Sequence, residues 1–255
     1  MYPEIELGPL TLQSFGLMFA LAFIGAGALI AKRLDEIGKP VDWAYEIGFA
    51  ALLGGLVGSR LYFVVENWDS VSDDLLGNIF SGSGLVWYGG IIGGALAVFA
   101  WAWYRGFLGL ALLDLTAPAL ALGYAIGRVG CQLSGDGDYG REWDGPWAMA
   151  YPDGTVPTEA EVHPTPVYEA LAMGIGAWIL WRLRDRVRAG VLFAIYLVYA
   201  GAERFLVEFV RRNEDVALGL TAAQLESLAM MSAGVIWVYA VKSRHGSLRP
   251  EAQAV

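Results

Sequence analysis

The segment "ERFLVEFVRR", residues 203–212, sets Arg204, Glu208 and Arg211 at i, i+4 and i+7, along one face of a helix within an apolar run. A guanidinium presents a planar fork of donors matched to phosphate oxygens, and a carboxylate one turn away can orient it. The stripe offers anion binding if it points into a bundle. An Arg–Glu pair that locks helices together, or an arginine that snorkels to the interface, accounts for the same residues without a ligand. A second segment, "GRVGCQLSGDGDYGR", residues 127–141, ends another apolar run with Arg128 and follows it with a glycine-punctuated turn. Glycines tolerate unusual dihedrals and close approach, so this turn can present backbone N–H groups as well as side chains. Asp136 and Asp138 form a D-x-D that suits a divalent cation, though such acids are also common in glycine turns. Cys131 reads as a nucleophile beside Arg128 or as a small apolar packing residue, and no His stands near it in sequence. His163, in "HPTPVYE", is a candidate base or simply the residue that leads into a helix.

Apolar elements must position these groups. Of the 255 residues 56% are hydrophobic and 17% charged, and the apolar ones come in long blocks rather than at amphipathic spacing. Crossing about 30 Å of hydrocarbon takes roughly 20 mostly apolar residues. Seven runs qualify, approximately 10–31, 43–65, 84–104, 109–131, 166–183, 190–210 and 219–241. Barrel-type alternating segments are not seen, so the expected fold class is an all-α membrane protein of seven transmembrane helices. The whole chain, 1–255, reads as a single polytopic membrane domain, and the long polar insertion 132–165 as a small extracytoplasmic cap. "MYPEIELG" has no Lys or Arg before the first apolar run, so it does not read as a cleavable signal. One cysteine excludes an intramolecular disulfide framework and a C-x-x-C metal site. A net charge of −9 argues against nucleic acid as partner.

Lys and Arg alternate by loop. Lys32, Arg33, Lys39, Arg105, Arg182, Arg184, Arg186, Arg188, Lys242, Arg244 and Arg249 fall on one side. Arg141, Arg211 and Arg212 fall on the other, among acidic residues that include Glu66, Asp69, Asp73, Asp74, Asp136, Asp138, Glu159, Glu161, Glu214 and Asp215. The positive-inside rule then puts the N-terminus outside and the C-terminus inside. In that frame Arg60, Arg128, Arg204 and Glu208 end outward-running helices, and Tyr88, Tyr168 and Glu169 begin inward-running ones, so all share one depth. An unpartnered ionisable group in lipid costs at least about 2.5 kcal/mol, so such a set is a site hypothesis. The available anion at that depth is a phospholipid headgroup. "GGLVGSR" and "GGIIGG" place Gly54 and Gly58, and Gly90 and Gly94, four apart for close helix contact. Thr221 and Gln224 suit a capping box at the start of the last helix, a reading that needs no ligand.

The order and placement of "LVWYGGIIGG", "GRVGCQLSGDGDYGR", "HPTPVYE", "RFLVEFVRR" and "LTAAQLES" resemble the prolipoprotein diacylglyceryl transferase family, from about Gly8 to Ser227. The resemblance implies a multi-pass enzyme of the bacterial cytoplasmic (inner) membrane. It would move the diacylglyceryl group of phosphatidylglycerol to the lipobox cysteine of prolipoprotein signal peptides and release glycerol phosphate. Membrane lipids are further partners; no metal and no dissociable cofactor is implied. By position, Arg128 matches the signature arginine, Arg204 and Glu208 the arginine and glutamate of the sixth helix, and Gly140 the signature's last glycine. Asp136 takes the acidic position, with Asp138 open because the loop carries an extra residue. Gly89 and Gly90 follow the family's usual histidine, where this chain has Tyr88; Cys131 replaces an Asn and Phe15 a Tyr. The mechanism implied puts the lipid phosphate between Arg128 and Arg204, with Glu208 orienting Arg204 or Arg211 and Tyr88 donating a hydrogen bond. Arg60, Cys131, Glu169 and Arg211 join Asp136 and the three glycines as candidate substrate-binding residues. Two rivals share these features: a phospholipid-dependent transferase with a different acceptor, and a lipid-binding or lipid-moving protein without chemistry.

Overall fold

The computed structural model describes residues 1–68 and 86–250. Asp69, Asp73 and Asp74, and the first two residues of the third expected span, lie outside the described residues. Seven long helices are described: α1 Ser14–Glu36, α2 Trp43–Glu66, α3 Trp87–Tyr104, α4 Leu110–Ser134, α5 Thr165–Leu183, α6 Val191–Glu208 and α7 Ala222–His245. Each expected apolar run forms one of them. By length and composition α1, α2, α4 and α7 are able to cross a membrane, so this is a multi-pass membrane protein. Three two-stranded antiparallel hairpins accompany them: β1 Glu4–Leu7 with β2 Leu10–Gln13, β3 Met149–Tyr151 with β4 Thr158–Val162, and β5 Asp215–Ala217 with β6 Leu220–Thr221.

The first hairpin corrects the expected start of the first span. Residues 10–13 pair with residues 4–7, Gln13 donating to Glu4 at 2.8 Å, and the helix begins at Ser14. β2 alternates apolar and polar residues, Leu10, Thr11, Leu12 and Gln13, which is the strand period, and the continuous apolar run begins only with Phe15. The last helix begins where its cap predicts. Thr221 accepts from the Gln224 N–H at 3.3 Å, and Gln224 Oε1 accepts from the Thr221 N–H at 3.1 Å.

The described residues form two compact units, one of residues 1–30 with 113–255 and one of residues 31–112. In the first, Ala117, Ala121 and Ala125 of α4 pack with Met173, Ala177 and Leu180 of α5 and Leu192 of α6. Alanines four apart leave a shallow strip that lets α5 lie close. Glu169 continues the α5 strip one turn before Met173, which carries its carboxylate into the interior, where it is fully buried.

In the second unit, α2 and α3 cross backbone to backbone. A Cβ on Gly58 would lie 2.7 Å from Gly93 Cα, and Gly54 and Gly89 are equally tight against the opposite helix. The expected pair Gly90 and Gly94 is displaced by one residue: Gly89 and Gly93 meet Gly54 and Gly58, while Gly90 lies beside Gly55. Both pairs are four apart, so spacing does not choose between them. Beyond the crossing, Glu46 takes both nitrogens of the Arg105 fork, at 2.8 and 2.5 Å, and the Trp101 indole N–H at 2.6 Å.

Gly58→Leu should push α2 and α3 apart and lower the thermal midpoint in detergent, since overpacking costs about 1–3 kcal/mol or more. Gly48→Leu, at a position with open space among the described residues, should leave the midpoint near that of the wild type.

Candidate active site

Three guanidiniums converge on Glu169. Arg128, three residues beyond the alanine strip of α4, brings Nε within 3.0 Å of Glu169 Oε2. Arg204 of α6 brings Nη1 within 3.5 Å of Oε1, and Arg211, just past the end of α6, brings Nη1 within 3.5 Å of Oε2. The Tyr124 hydroxyl donates to Glu169 at 3.0 Å and accepts from Arg128 Nη2 at 2.9 Å. Arg128 also lies over the Tyr124 ring, 4.9 Å from its centroid.

Two further carboxylates complete the charge balance. Glu208 sits 2.8 Å from Arg204 Nη2 and 3.8 Å from Arg211 Nε, so it lies where it can orient both. Its other oxygen accepts from Asn213 at 2.5 Å and from the Thr221 hydroxyl at 2.9 Å. The α7 cap thus also anchors the cluster, a link that the capping pattern does not announce. Asp138 pairs with Arg128 through one carboxylate oxygen and with Arg211 Nη2 at 2.6 Å through the other. Its backbone carbonyl accepts from Arg211 Nη1 at 3.1 Å and from the Thr165 hydroxyl at 2.5 Å. Burial works against the Asp138 charge, but Arg128 and Arg211 outweigh it and hold the carboxyl below its usual range.

Asp138, rather than Asp136, therefore meets the arginines; Asp136 accepts the Asp138 N–H at 3.3 Å. The ligand atoms of Cys131, Asp136 and Asp138 lie within 4.8 Å of one another. The donor set fits a divalent cation poorly, because both Asp138 oxygens already face guanidiniums and an added cation would meet two positive charges. Cys131 is buried, with its sulfur 3.8 Å from Arg128 Nη1. Gly140 explains how the loop reaches the cluster. Its N–H donates to His163 O at 2.8 Å, and a Cβ there would collide with Val210 O and lie 2.9 Å from His163 Cβ. The loop is held on both sides, by Arg141 N–H to Val210 O at 2.8 Å and by Tyr139 stacked on Tyr151 at 4.7 Å.

The expected set thus divides. Arg128, Arg204, Glu208, Glu169 and Arg211 meet, with Cys131 in the last turn of α4 and Asp136 and Gly140 in the adjoining loop. Arg60, Tyr88, Gly89 and Gly90 belong to the other unit, where Arg60 lies over the Phe63 ring at 5.9 Å, Gly89 and Gly90 face α2, and Tyr88 is half exposed. Tyr168 faces away from the arginines and contacts Trp147 at 2.8 Å and His163 at 3.2 Å. His163 stacks on Trp143 at 4.4 Å, and burial holds its imidazole below the usual value. Tyr124 escaped the sequence reading, although its i, i+4 spacing to Arg128 was a usable signal.

A carboxyl whose pKa is depressed on folding contributes stability above its unfolded value, about 3.9, and loses that contribution as pH falls through its folded value. The difference in thermal midpoint between wild type and Asp138→Asn should accordingly be largest near neutrality and shrink on acidification below about pH 4. Asp136→Asn, which removes no ion pair, should leave the midpoint at neutral pH near that of the wild type.

The family model of prolipoprotein diacylglyceryl transferase matches residues 4–240. A phosphatidylglycerol–prolipoprotein diacylglyceryl transferase of Clostridium tetani is 30% identical over 236 residues, covering 90% of this chain and 93% of that protein. One of Chromohalobacter salexigens is 33% identical over 250 residues, covering 92% and 91%. One of Dehalococcoides mccartyi strain CBDB1 is 32% identical over 250 residues, covering 94% and 93%. With a buried arginine–carboxylate cluster assembled from its most distinctive motifs and a match along nearly its whole length, the chain belongs to the prolipoprotein diacylglyceryl transferase family.

Proposed function

We propose that the chain transfers the diacylglyceryl group of phosphatidylglycerol to the lipobox cysteine of prolipoprotein signal peptides and releases glycerol phosphate. The observation that carries the reading is the gathering of Arg128, Arg204 and Arg211 around one buried carboxylate. No lysine stands among them, and guanidiniums are the groups suited to a phosphate. Arg204 Nη1, 3.5 Å from Glu169, is buried and makes no hydrogen bond among the described residues, so it can donate to an incoming phosphate oxygen. Glu169, rather than open space, lies between Arg128 and Arg204, so a phosphate approaches beside it. Asp138, with 35% of its side chain exposed, is the most accessible of the three carboxylates and the one that an incoming phosphate displaces from Arg128.

The proposed reaction is displacement at the glycerol carbon that bears the phosphate. The acceptor sulfur attacks that carbon as negative charge builds on the departing phosphate oxygen. Preorganised guanidiniums in a site shielded from water stabilise that charge without reorganising. Glu208 holds Arg204 and Arg211 in place. Arg60, Tyr88, Gly89 and Gly90, in the other unit, are proposed lipid contacts from their place in the family's motifs, and Asp136 and Gly140 shape the loop that carries Asp138.

The same reading takes the protein as one polytopic domain of the cytoplasmic (inner) membrane with seven spans, its N-terminus outside and C-terminus inside. Residues 132–165 form the extracytoplasmic cap. The loop charges support that orientation, with eleven cations on the proposed inner side against three on the outer.

Purified protein incubated with labelled phosphatidylglycerol and a lipobox peptide should yield a thioether-modified peptide and free glycerol phosphate. Headgroup release without peptide modification, or binding without turnover, overturns the reading. Alanine at Arg128 or Arg204 would strand a buried carboxylate, so the informative variants are Arg128→Lys and Arg204→Lys, which keep charge and lose the fork. Each should stay folded and lose about 10²–10³-fold in rate; wild-type rates from both would remove the phosphate-binding assignment. Cys131→Asn should retain activity, since the thiol is buried at the edge of the cluster.

A further inference from the structure

A cavity of about 910 Å³ opens between α5 and α6, walled by Trp147, Leu171, Ala172, Leu206 and Val207. Its polar lining is sparse, and Glu203 is the sole carboxylate in it. Adjacent helical residues point about 100° apart, so where Arg204 turns to Glu169 and Glu208, Glu203 turns to the cavity. Among the described residues Glu203 makes no hydrogen bond and no ion pair. Every other carboxylate around the arginines is held by at least one of them; Glu203 alone stands next to the cluster with its oxygens uncommitted.

Charge decides what such a cavity accepts. An anionic headgroup belongs with the arginines, whereas a proton donor on an apolar segment matches both the apolar walls and a carboxyl group whose oxygens are free to hydrogen-bond. Resting on the transferase reading above, we propose that this cavity receives the thiol-bearing segment of the acceptor and that Glu203 takes the thiol proton. The S–H bond breaks as Glu203 becomes protonated, and the thiolate forms the C–S bond while the glycerol C–O bond breaks. The electron pair stays on the phosphate oxygen. The proton on Glu203 then passes to the released glycerol phosphate, which restores the carboxylate. No other reactant is consumed.

Several charged or titratable groups surround Glu203. On its own helix these are Tyr199 and Arg204; from α4, Tyr124 and Arg128; from α5, Tyr168 and Glu169; and from the flanking loops, His163 and Arg211. Of these, Glu169 is the other carboxylate, and it is occupied by the arginines.

The test uses full-length protein, phosphatidylglycerol and a lipobox peptide. Glu203→Gln should reduce transfer about 100-fold or more at pH 7 while phosphatidylglycerol binding is unchanged. The deficit should shrink as pH rises through the ordinary thiol pKa, about 8.5, because solution then supplies the thiolate. A rate within about threefold of wild type at pH 7, or a deficit of equal size on either side of the thiol pKa, overturns the assignment. Ala202→Phe, which fills the cavity, should raise the KM for peptide and leave that for phosphatidylglycerol unchanged; an unchanged peptide KM removes the acceptor from the cavity. A wild-type protein that forms no thioether overturns the transferase reading itself, whereas an active wild type beside a fully active Glu203→Gln overturns Glu203 alone.

Discussion

A carboxylate with no solvent exposure, set among apolar helices, stays ionised only if cations come to it, and at Glu169 three do. Desolvating the group costs several kcal/mol, which the guanidiniums must return through short, well-oriented contacts. Because Arg128, Arg204 and Arg211 come from α4, α6 and the chain beyond α6, this requirement draws those segments together around the first turn of α5. Breaking a buried pair by deleting one partner typically costs about 3–5 kcal/mol, so each member depends on the rest.

Charge balance gives the cluster its chemical character. Three guanidiniums face three carboxylates that differ in how firmly they are held. Glu169 and Glu208 are buried, and Glu208 is pinned further by Asn213 and Thr221, which makes both permanent orienting groups. Asp138 sits on a loop, partly exposed, and its backbone rather than its carboxylate is what Thr165 holds. In the proposed reaction the more exposed carboxylate keeps the arginines placed until the lipid phosphate takes over, so little reorganisation is needed when charge develops on the substrate. Glu203 complements this arrangement, since the residue just before Arg204 on α6 turns to the apolar cavity and is the base proposed there.

The loop from Gly135 to Pro164 and the caps of the helices form the support of the site. Gly140 lets the chain pass against the Val210 carbonyl, and the hydrogen bonds of Arg141 and His163 stitch that passage to the end of α6 and the entry of α5. Within the second unit the glycine crossing of α2 and α3 and the Glu46–Arg105–Trp101 contact follow the same logic, with small residues permitting approach and one carboxylate closing the end.

Composition and hydropathy by themselves determined that the chain is helical and crosses a membrane, because long apolar runs in lipid have no other way to satisfy their backbone hydrogen bonds. The sequence also singled out Arg128, Glu169, Arg204, Glu208 and Arg211, since a charge inside an apolar run is conspicuous without any coordinates. Tertiary structure alone decided the rest. Which of Asp136 and Asp138 reaches the arginines depends on how the glycine turn folds back, and a D-x-D is symmetric in sequence. The register of the glycine crossing and the uncommitted state of Glu203 are likewise outcomes of long-range contact. Local pattern records what a residue prefers; only the folded chain establishes which partner is close enough to meet that preference.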